Sequence, residues 1–175
     1  MNETLDLKAL REEIDGIDTE IIELIASRQK KILKVAQYKK EHELPVFSPD
    51  RESEIFDRVD RILGVENSNG FKLLYGFLID LNKYYEYQCV ETTVDVPTKA
   101  GGASIRAVID DTPFSLCRYL CPLAVAEVSI LSIRSQTMPG SRLLVDLELS
   151  GDTNDPNFSA VLSVLADAAE KFTIL

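Results

Sequence analysis

Arg28 and Lys39 are cations at positions where the sequence otherwise repeats apolar side chains. Placed at 100° intervals, Ile14, Ile17, Ile21, Leu24, Ile25, Ile32 and Val35 fall within one helical sector of roughly 100°. Both cations lie inside that sector, and Arg11 and Asp18 lie at its edge. Lys30, Lys31 and Lys34 project elsewhere, as a solvated face does. A cation within an apolar stripe needs a partner, because an unpaired buried charge is strongly destabilising. Two readings are open on this geometry. Acids such as Glu52, Asp18 or Glu54 pair with the cations inside the chain, or Arg11, Arg28 and Lys39 together contact an anionic ligand enclosed in a helical bundle. The cysteines Cys89, Cys117 and Cys121 are odd in number and form no Cys-x-x-Cys pair, which argues against a disulfide framework and a zinc ribbon. Cys117 and Cys121 share a helix face and are read as small core residues, and no metal or cofactor is expected. The lone His42 is expected to face solvent at the end of a helix, without a catalytic role.

The elements that must position these residues divide into two halves. From Leu5 to His42 only Gly16 interrupts the helical spacing, and Pro is absent, so a single helix of roughly 38 residues, about 57 Å long, is expected. A helix of that length must bury its stripe, and the first half offers only two shorter helices, Pro49 to Leu63 and about Ser68 to Glu91. A second copy of the chain is the natural remaining cover. Ser48 is a plausible N-cap with Pro49 at the first helical position, and Gly64 and Asn67-Ser68-Asn69-Gly70 mark the second break. Glu91 to Ala103 loses periodicity and gathers Pro97, Gly101 and Gly102, as a linker does. Beyond it the order is βαββαβ: Ile105 to Ile109, Phe114 to Ala124, Val128 to Ile133, Leu143 to Leu149, Pro156 to Ala169 and Phe172 to Leu175, with a turn at Met138-Pro139-Gly140. That order predicts a split, ferredoxin-like antiparallel sheet with two helices on one face.

The 175 residues carry 19 basic and 29 acidic side chains, a net charge of -10 that opposes a nucleic-acid partner. No apolar run approaches the roughly 18 residues that a membrane-spanning helix needs, and Met1 to Asp6 lacks the basic-then-apolar order of a signal peptide. A cytoplasmic protein without a membrane partner is expected.

The stretches Leu10-Arg11-Glu12-Glu13-Ile14-Asp15-Gly16-Ile17-Asp18, Leu24-Ile25-Ala26-Ser27-Arg28, Val35-Ala36-Gln37-Tyr38-Lys39 and Pro45-Val46-Phe47-Ser48-Pro49-Asp50-Arg51-Glu52 resemble the all-helical chorismate mutases. The resemblance covers about residues 5 to 91 and favours the ligand reading. It implies a three-helix protomer, an intertwined homodimer whose long helices are shared between two sites, and chorismate as substrate. By the resemblance Arg28 and an Arg11 from the partner clamp the substrate carboxylates, Arg51 helps to position the substrate, Lys39 and Gln88 donate to its ether oxygen, and Glu52 binds its ring hydroxyl. Two positions depart from the family pattern: Ser48 stands where an acid is common, and Tyr84 stands where a small serine precedes the glutamine by four residues. With a neutral Gln88 amide and the Lys39 ammonium as the donors, activity is expected to be broad across roughly pH 6 to 8.

The stretches Ile105 to Leu116, Ser132-Ile133-Arg134-Ser135 and Val145 to Leu149 resemble an ACT domain, a small ligand-sensing module. By that resemblance Asp111, Pro113, Phe114, Ser115, Leu116 and Ser132 are candidate contacts for a phenylalanine or tyrosine effector. The family's usual turn and Glu-Ser-Arg-Pro motifs are replaced here by Pro113-Phe114-Ser115-Leu116 and Ser132-Ile133-Arg134-Ser135, so a purely dimer-stabilising role stands beside effector sensing. The expected architecture is multidomain, α and α+β: a helical mutase domain over residues 1–91, a linker over 92–103 and an ACT-like regulatory domain over 104–175. The alternative is a regulatory protein whose mutase pocket has degenerated at Tyr84 and whose ACT domain senses an amino acid for a partner enzyme. Every candidate for the chemistry precedes Glu91, so a chain ending near Thr93 is expected to remain active if it stays folded and dimeric.

Overall fold

The structure, a computed structural model, describes residues 6–90 and 101–175. Residues 92–100 of the expected linker, and Leu5, the expected first helical residue, lie outside it. Helix α1 spans Leu7–Glu41, 35 residues or about 52 Å. Its N-cap is Asp6, whose carboxylate accepts from the backbone N–H groups of Lys8 and Ala9 and satisfies donors that the first turn leaves open. Pro49 opens α2 (Pro49–Leu63), and Gly64, at φ 78°, ends it. Ser48 occupies the N-cap of α2 without making a side-chain capping bond. After a short 3-10 turn, α3 runs from Asn69 to Cys89. His42 is exposed at the C-cap of α1, where its ring stacks on Tyr38.

The second half follows the order β1 (Ala103–Asp110), α4 (Ser115–Val125), β2 (Ile130–Met138), β3 (Arg142–Leu149), α5 (Pro156–Asp167) and β4 (Lys171–Ile174). The four strands form one antiparallel sheet in the order β2-β3-β1-β4, with Ala103 opposite Leu149 and Asp110 opposite Arg142. Because side chains alternate along a strand, Ala103, Ile105, Ala107 and Ile109 share a face, as do Leu143, Val145, Leu147 and Leu149. That face packs on Leu123 of α4 and on Phe158, Val161, Leu162 and Leu165 of α5. On the opposite face Arg106 forks onto Asp146 at 2.7 and 3.0 Å. Cys117 differs from expectation: it is exposed on α4, while Cys121 is half-buried, so the pair is not a core pair.

The two halves meet along α3. Tyr84 and Tyr87 belong to the same buried cluster as the sheet and α5. The Tyr87 hydroxyl donates to Asp167 at 2.7 Å. Helix α3 is therefore covered on two sides, by α1 and α2 on one and by α4 and α5 on the other. Among the described residues no helix is long and apolar enough to cross a membrane.

Candidate active site

A cavity of about 780 Å³ opens between the three helices of the first half. Helix α1 supplies Arg28, Ile32, Val35 and Lys39, and α3 supplies Tyr75, Ile79, Asn82 and Glu86. Both sets step by four, three and four residues, which places each on one face of its helix. Ser48, Arg51 and Glu52 close the cavity from the start of α2. Six cationic side chains, Arg28, Lys31, Lys39, Arg51, Arg58 and Lys83, line it against two anionic ones, Glu52 and Glu86, so Lys31, expected to project elsewhere, is exposed yet borders the cavity. In a chain of net charge -10, this is a local excess of positive charge, and it selects an anionic occupant.

Lys39 is the most constrained of these cations. Its ammonium donates to Glu86 Oε2 and to the carbonyl of Val46, each at 2.8 Å. An ammonium has three N–H groups, so one remains for a ligand. Burial pushes the Glu86 carboxyl above the ordinary carboxylate range, although the hydrogen bond and charge of Lys39, with Lys83 and Arg28, pull the other way. Arg28 forms no ion pair among the described residues. Burial lowers its pKa and Arg51 pushes in the same direction, while Tyr75 and Glu86 oppose them. A guanidinium stays charged through such a shift, so the half-buried Arg28 is a cation without a counter-ion among the described residues. Arg51 bonds Glu54 at 2.6 Å on the exposed side of α2.

Glu52 sits where two cavities share a wall. Its Oε2 accepts from Arg118 of α4 at 3.2 Å. Lys83 Nζ lies 3.0 Å from the buried Oε1, an ion-pair contact. Asp80, next to Lys83 on α3, completes the group: Arg118 forks onto it at 2.7 and 3.1 Å.

Three of the sequence-derived site residues lie elsewhere. Gln88 is exposed and donates to Asn157 of α5 at 2.5 Å, on the face of α3 away from Lys39. Tyr84, 5% exposed, packs into the cluster shared with the second half. Burial raises its hydroxyl pKa, Tyr85, Asp155 and Glu127 add to this, and a hydrogen bond with Gln88 opposes it. The positions beside Lys39 and in the cavity belong to Glu86 and Asn82, also four residues apart. Arg11 is exposed, 17 residues before Arg28, or about 26 Å along α1. It does not reach the cavity of its own chain.

Of the expected effector contacts, Pro113, Phe114 and Ser115 line a second cavity of about 540 Å³ between α2, α3, α4 and the end of β1. Asp111, Leu116 and Ser132 do not line it. The Asp111 backbone N–H donates to Ser141, Leu116 packs on the core and Ser132 lies in β2 opposite Glu148. Phe114 is 62% exposed at φ 71°, so its ring does not fill an interior cavity. No grouping of three or more His, Cys, Asp or Glu side chains suited to a metal ion occurs among the described residues.

The sequence reading missed Asn82, Glu86, Asp80, Lys83 and Arg118. A signal was present for the α3 residues: Asp80, Lys83 and Glu86 are charges within an apolar helix, as are Arg28 and Lys39 of α1.

Comparison with known proteins matches the helical first half of the chain. Residues 10–87 match the family model described as Chorismate mutase type II. The chain is 34% identical over 90 residues to a protein named chorismate mutase from Methanocaldococcus jannaschii, covering 50% of this chain and 90% of that one. It is 42% identical over 57 residues to a bifunctional chorismate mutase/prephenate dehydratase from Aquifex aeolicus, covering 33% of this chain and 16% of the relative. It is 46% identical over 46 residues to a T-protein from Haemophilus influenzae, covering 26% of this chain and 12% of the relative. The chain thus spans only a small part of the latter two proteins.

Proposed function

The chain belongs to the chorismate mutase type II family, and from that premise we propose that it converts chorismate to prephenate in aromatic amino-acid biosynthesis. The observation that carries this reading is the convergence of Arg28, Arg51 and the Lys39–Glu86 pair on one cation-rich cavity. Chorismate has two carboxylates, and its rearrangement breaks one C–O bond while forming one C–C bond within the same molecule. No nucleophile is required, so the protein's task is to hold the folded conformer and to stabilise negative charge growing on the ether oxygen. Arg28, unpaired among the described residues, is placed to take one carboxylate in a bidentate contact. The third N–H of Lys39 and a protonated Glu86 are placed to donate to the ether oxygen. Asn82, one turn from Glu86, offers an amide to the same end of the substrate. Glu52, in the wall of the cavity, is the candidate partner of the ring hydroxyl.

A homodimer completes this site. Along α1, Leu7, Ile14, Ile17, Ile21 and Leu24 are each 46% exposed or more. Covering what remains exposed of each would contribute roughly 0.7–2 kcal/mol. A second copy laid along this helix would bring its Arg11 to the other carboxylate. We read the second half as an ACT-like, ferredoxin-like regulatory domain, because its βαββαβ order and β2-β3-β1-β4 sheet have that topology. An aromatic amino acid is the proposed effector, and Pro113, Phe114 and Ser115 are its candidate contacts. The degenerate-pocket alternative rested on Tyr84, which is not in the cavity. The test is chorismate consumption by the purified protein. Arg28→Ala is expected to raise KM and lower kcat, while Lys30→Ala on the exposed face leaves both within about twofold. Equal losses from the two substitutions would defeat the site assignment.

A further inference from the structure

We propose that Arg118, on α4 of the second half, is a positioning residue for the reaction of the first: it fixes the Glu52 carboxylate in the orientation that meets the substrate's ring hydroxyl. The inference rests on the chorismate mutase reading of the larger cavity. Arg118 does not line that cavity, so it acts through Glu52. Its Nη2 reaches Glu52 Oε2 at 3.2 Å, and Nε and Nη2 fork onto Asp80 at 2.7 and 3.1 Å. Lys83 faces the same two acids from the other side, 3.0 Å from Glu52 and 3.1 Å from Asp80.

Two acids and two bases thus form a closed, neutral group, and each acid faces both cations. The side chains of Asp80 and Lys83 are only 4% and 6% exposed, so water cannot readily replace a missing member. The guanidinium is also held sterically. A Cβ at Gly76 would stand 2.9 Å from Arg118 Nε, so glycine leaves α3 open for Arg118 to lie across it. On its other side Arg118 lies 5.7 Å from the centroid of the Phe56 ring. Without Arg118, Glu52 and Asp80 would compete for Lys83 alone, and Asp80, only three residues away on the same helix, is the partner that Lys83 cannot leave. Glu52 would then lose its fixed direction. This makes the second half part of the construction of the active site.

The test is a double-mutant cycle on kcat/KM for chorismate, using the full chain. Arg118→Met is expected to lower kcat/KM by about tenfold or more, since misplacing a contact group by ångströms has effects of that order. Arg118→Lys, which keeps the charge but not the fork, is expected to lose less. In a Glu52→Gln background either substitution should change kcat/KM by less than about twofold, because the group through which Arg118 acts has already been altered. Arg106→Met, which removes an exposed cation from the second half, should leave the parent's kinetics unchanged. If Arg118→Met fails to fold, the cycle is read with Arg118→Lys. Equal losses in the parent and Glu52→Gln backgrounds would indicate a merely structural role and overturn the proposal, as would parent-like kinetics for Arg118→Met. No chorismate turnover by the parent chain would overturn the underlying reading of the cavity, and this inference with it.

Discussion

Glu86 and Gln88 are two residues apart, which on a helix is a rotation of roughly 200°. That rotation decides which of them meets Lys39, and the structure gives the position to Glu86. The sequence held a clue in Tyr84: the alignment puts a phenol where the family carries a small serine, whereas Asn82 and Glu86, four residues apart like Tyr84 and Gln88, line the cavity. Arg28 and Lys39 were legible because charge inside an otherwise apolar sector has few explanations. The exchange of Gln88 for Glu86 changes the expected pH dependence. An amide donates at any ordinary pH, whereas a carboxyl donates only when protonated. Burial holds Glu86 above the ordinary carboxylate range, so it gains its proton nearer to neutrality than an exposed carboxyl would. The kcat of the parent is therefore expected to rise as the pH is lowered from about 8 towards 5. Glu86→Gln should flatten that rise and keep activity at the alkaline end. A parent profile as flat as that of Glu86→Gln would show that Glu86 does not donate in the transition state.

The helices of the first half were legible nearly to the residue, since Pro49, Gly64 and the Asn-Ser-Asn-Gly cluster punctuate them: an expected Pro49 to Leu63 is Pro49–Leu63, and about Ser68 to Glu91 is Asn69–Cys89. What periodicity could not give was the assignment of faces on α3. A helix packed on two sides is apolar nearly all round, so its pattern does not say which neighbour each face meets. Helix α1 poses the opposite case, with a clear stripe and little within the chain to cover its first half. If that stripe seats a second copy, Arg11 and Arg28 of one chain serve different sites. Arg11→Ala and Arg28→Ala homodimers should each be nearly inactive. Mixed after unfolding and refolding together, they should regain about a quarter of the parent activity, because half of the dimers are mixed and each has one intact site. Native mass spectrometry would establish that mixed dimers form. Mixed dimers without recovered activity would rule out the shared site.

At the scale of the whole molecule, the sequence suggested two independent halves, and the packing makes them interdependent. Nothing in the order of helices and strands reveals a seam built from residues 80 positions apart, as Tyr87 and Asp167 are. Ending the chain near Thr93 would uncover Tyr84 and Tyr87, now 5% and 7% exposed, and remove Arg118 from Glu52. The packing thus bears on the condition under which such a truncation was expected to stay active, that it remains folded and dimeric. The seam should also carry a pH signature. Burial raises the Asp167 carboxyl above its ordinary range, an effect to which Glu52 and Asp80 add, while the hydrogen bond from Tyr87 and the charge of Lys83 oppose it. A carboxyl whose pKa is higher folded than unfolded binds its proton more tightly in the folded chain. Its contribution is fully present below the unfolded pKa and is lost as the pH rises through the folded one. Asp167→Asn keeps an oxygen for the Tyr87 hydroxyl and cannot ionise. It should therefore melt at a higher temperature than the parent at pH 7 to 8, and the gap should close as the pH falls through the folded Asp167 pKa towards the ordinary carboxylate value, about 3.9. Thermal denaturation followed by circular dichroism across that range reads the difference. A gap between the two proteins that is unchanged from pH 4 to 8 would show that Asp167 ionisation does not weaken the seam.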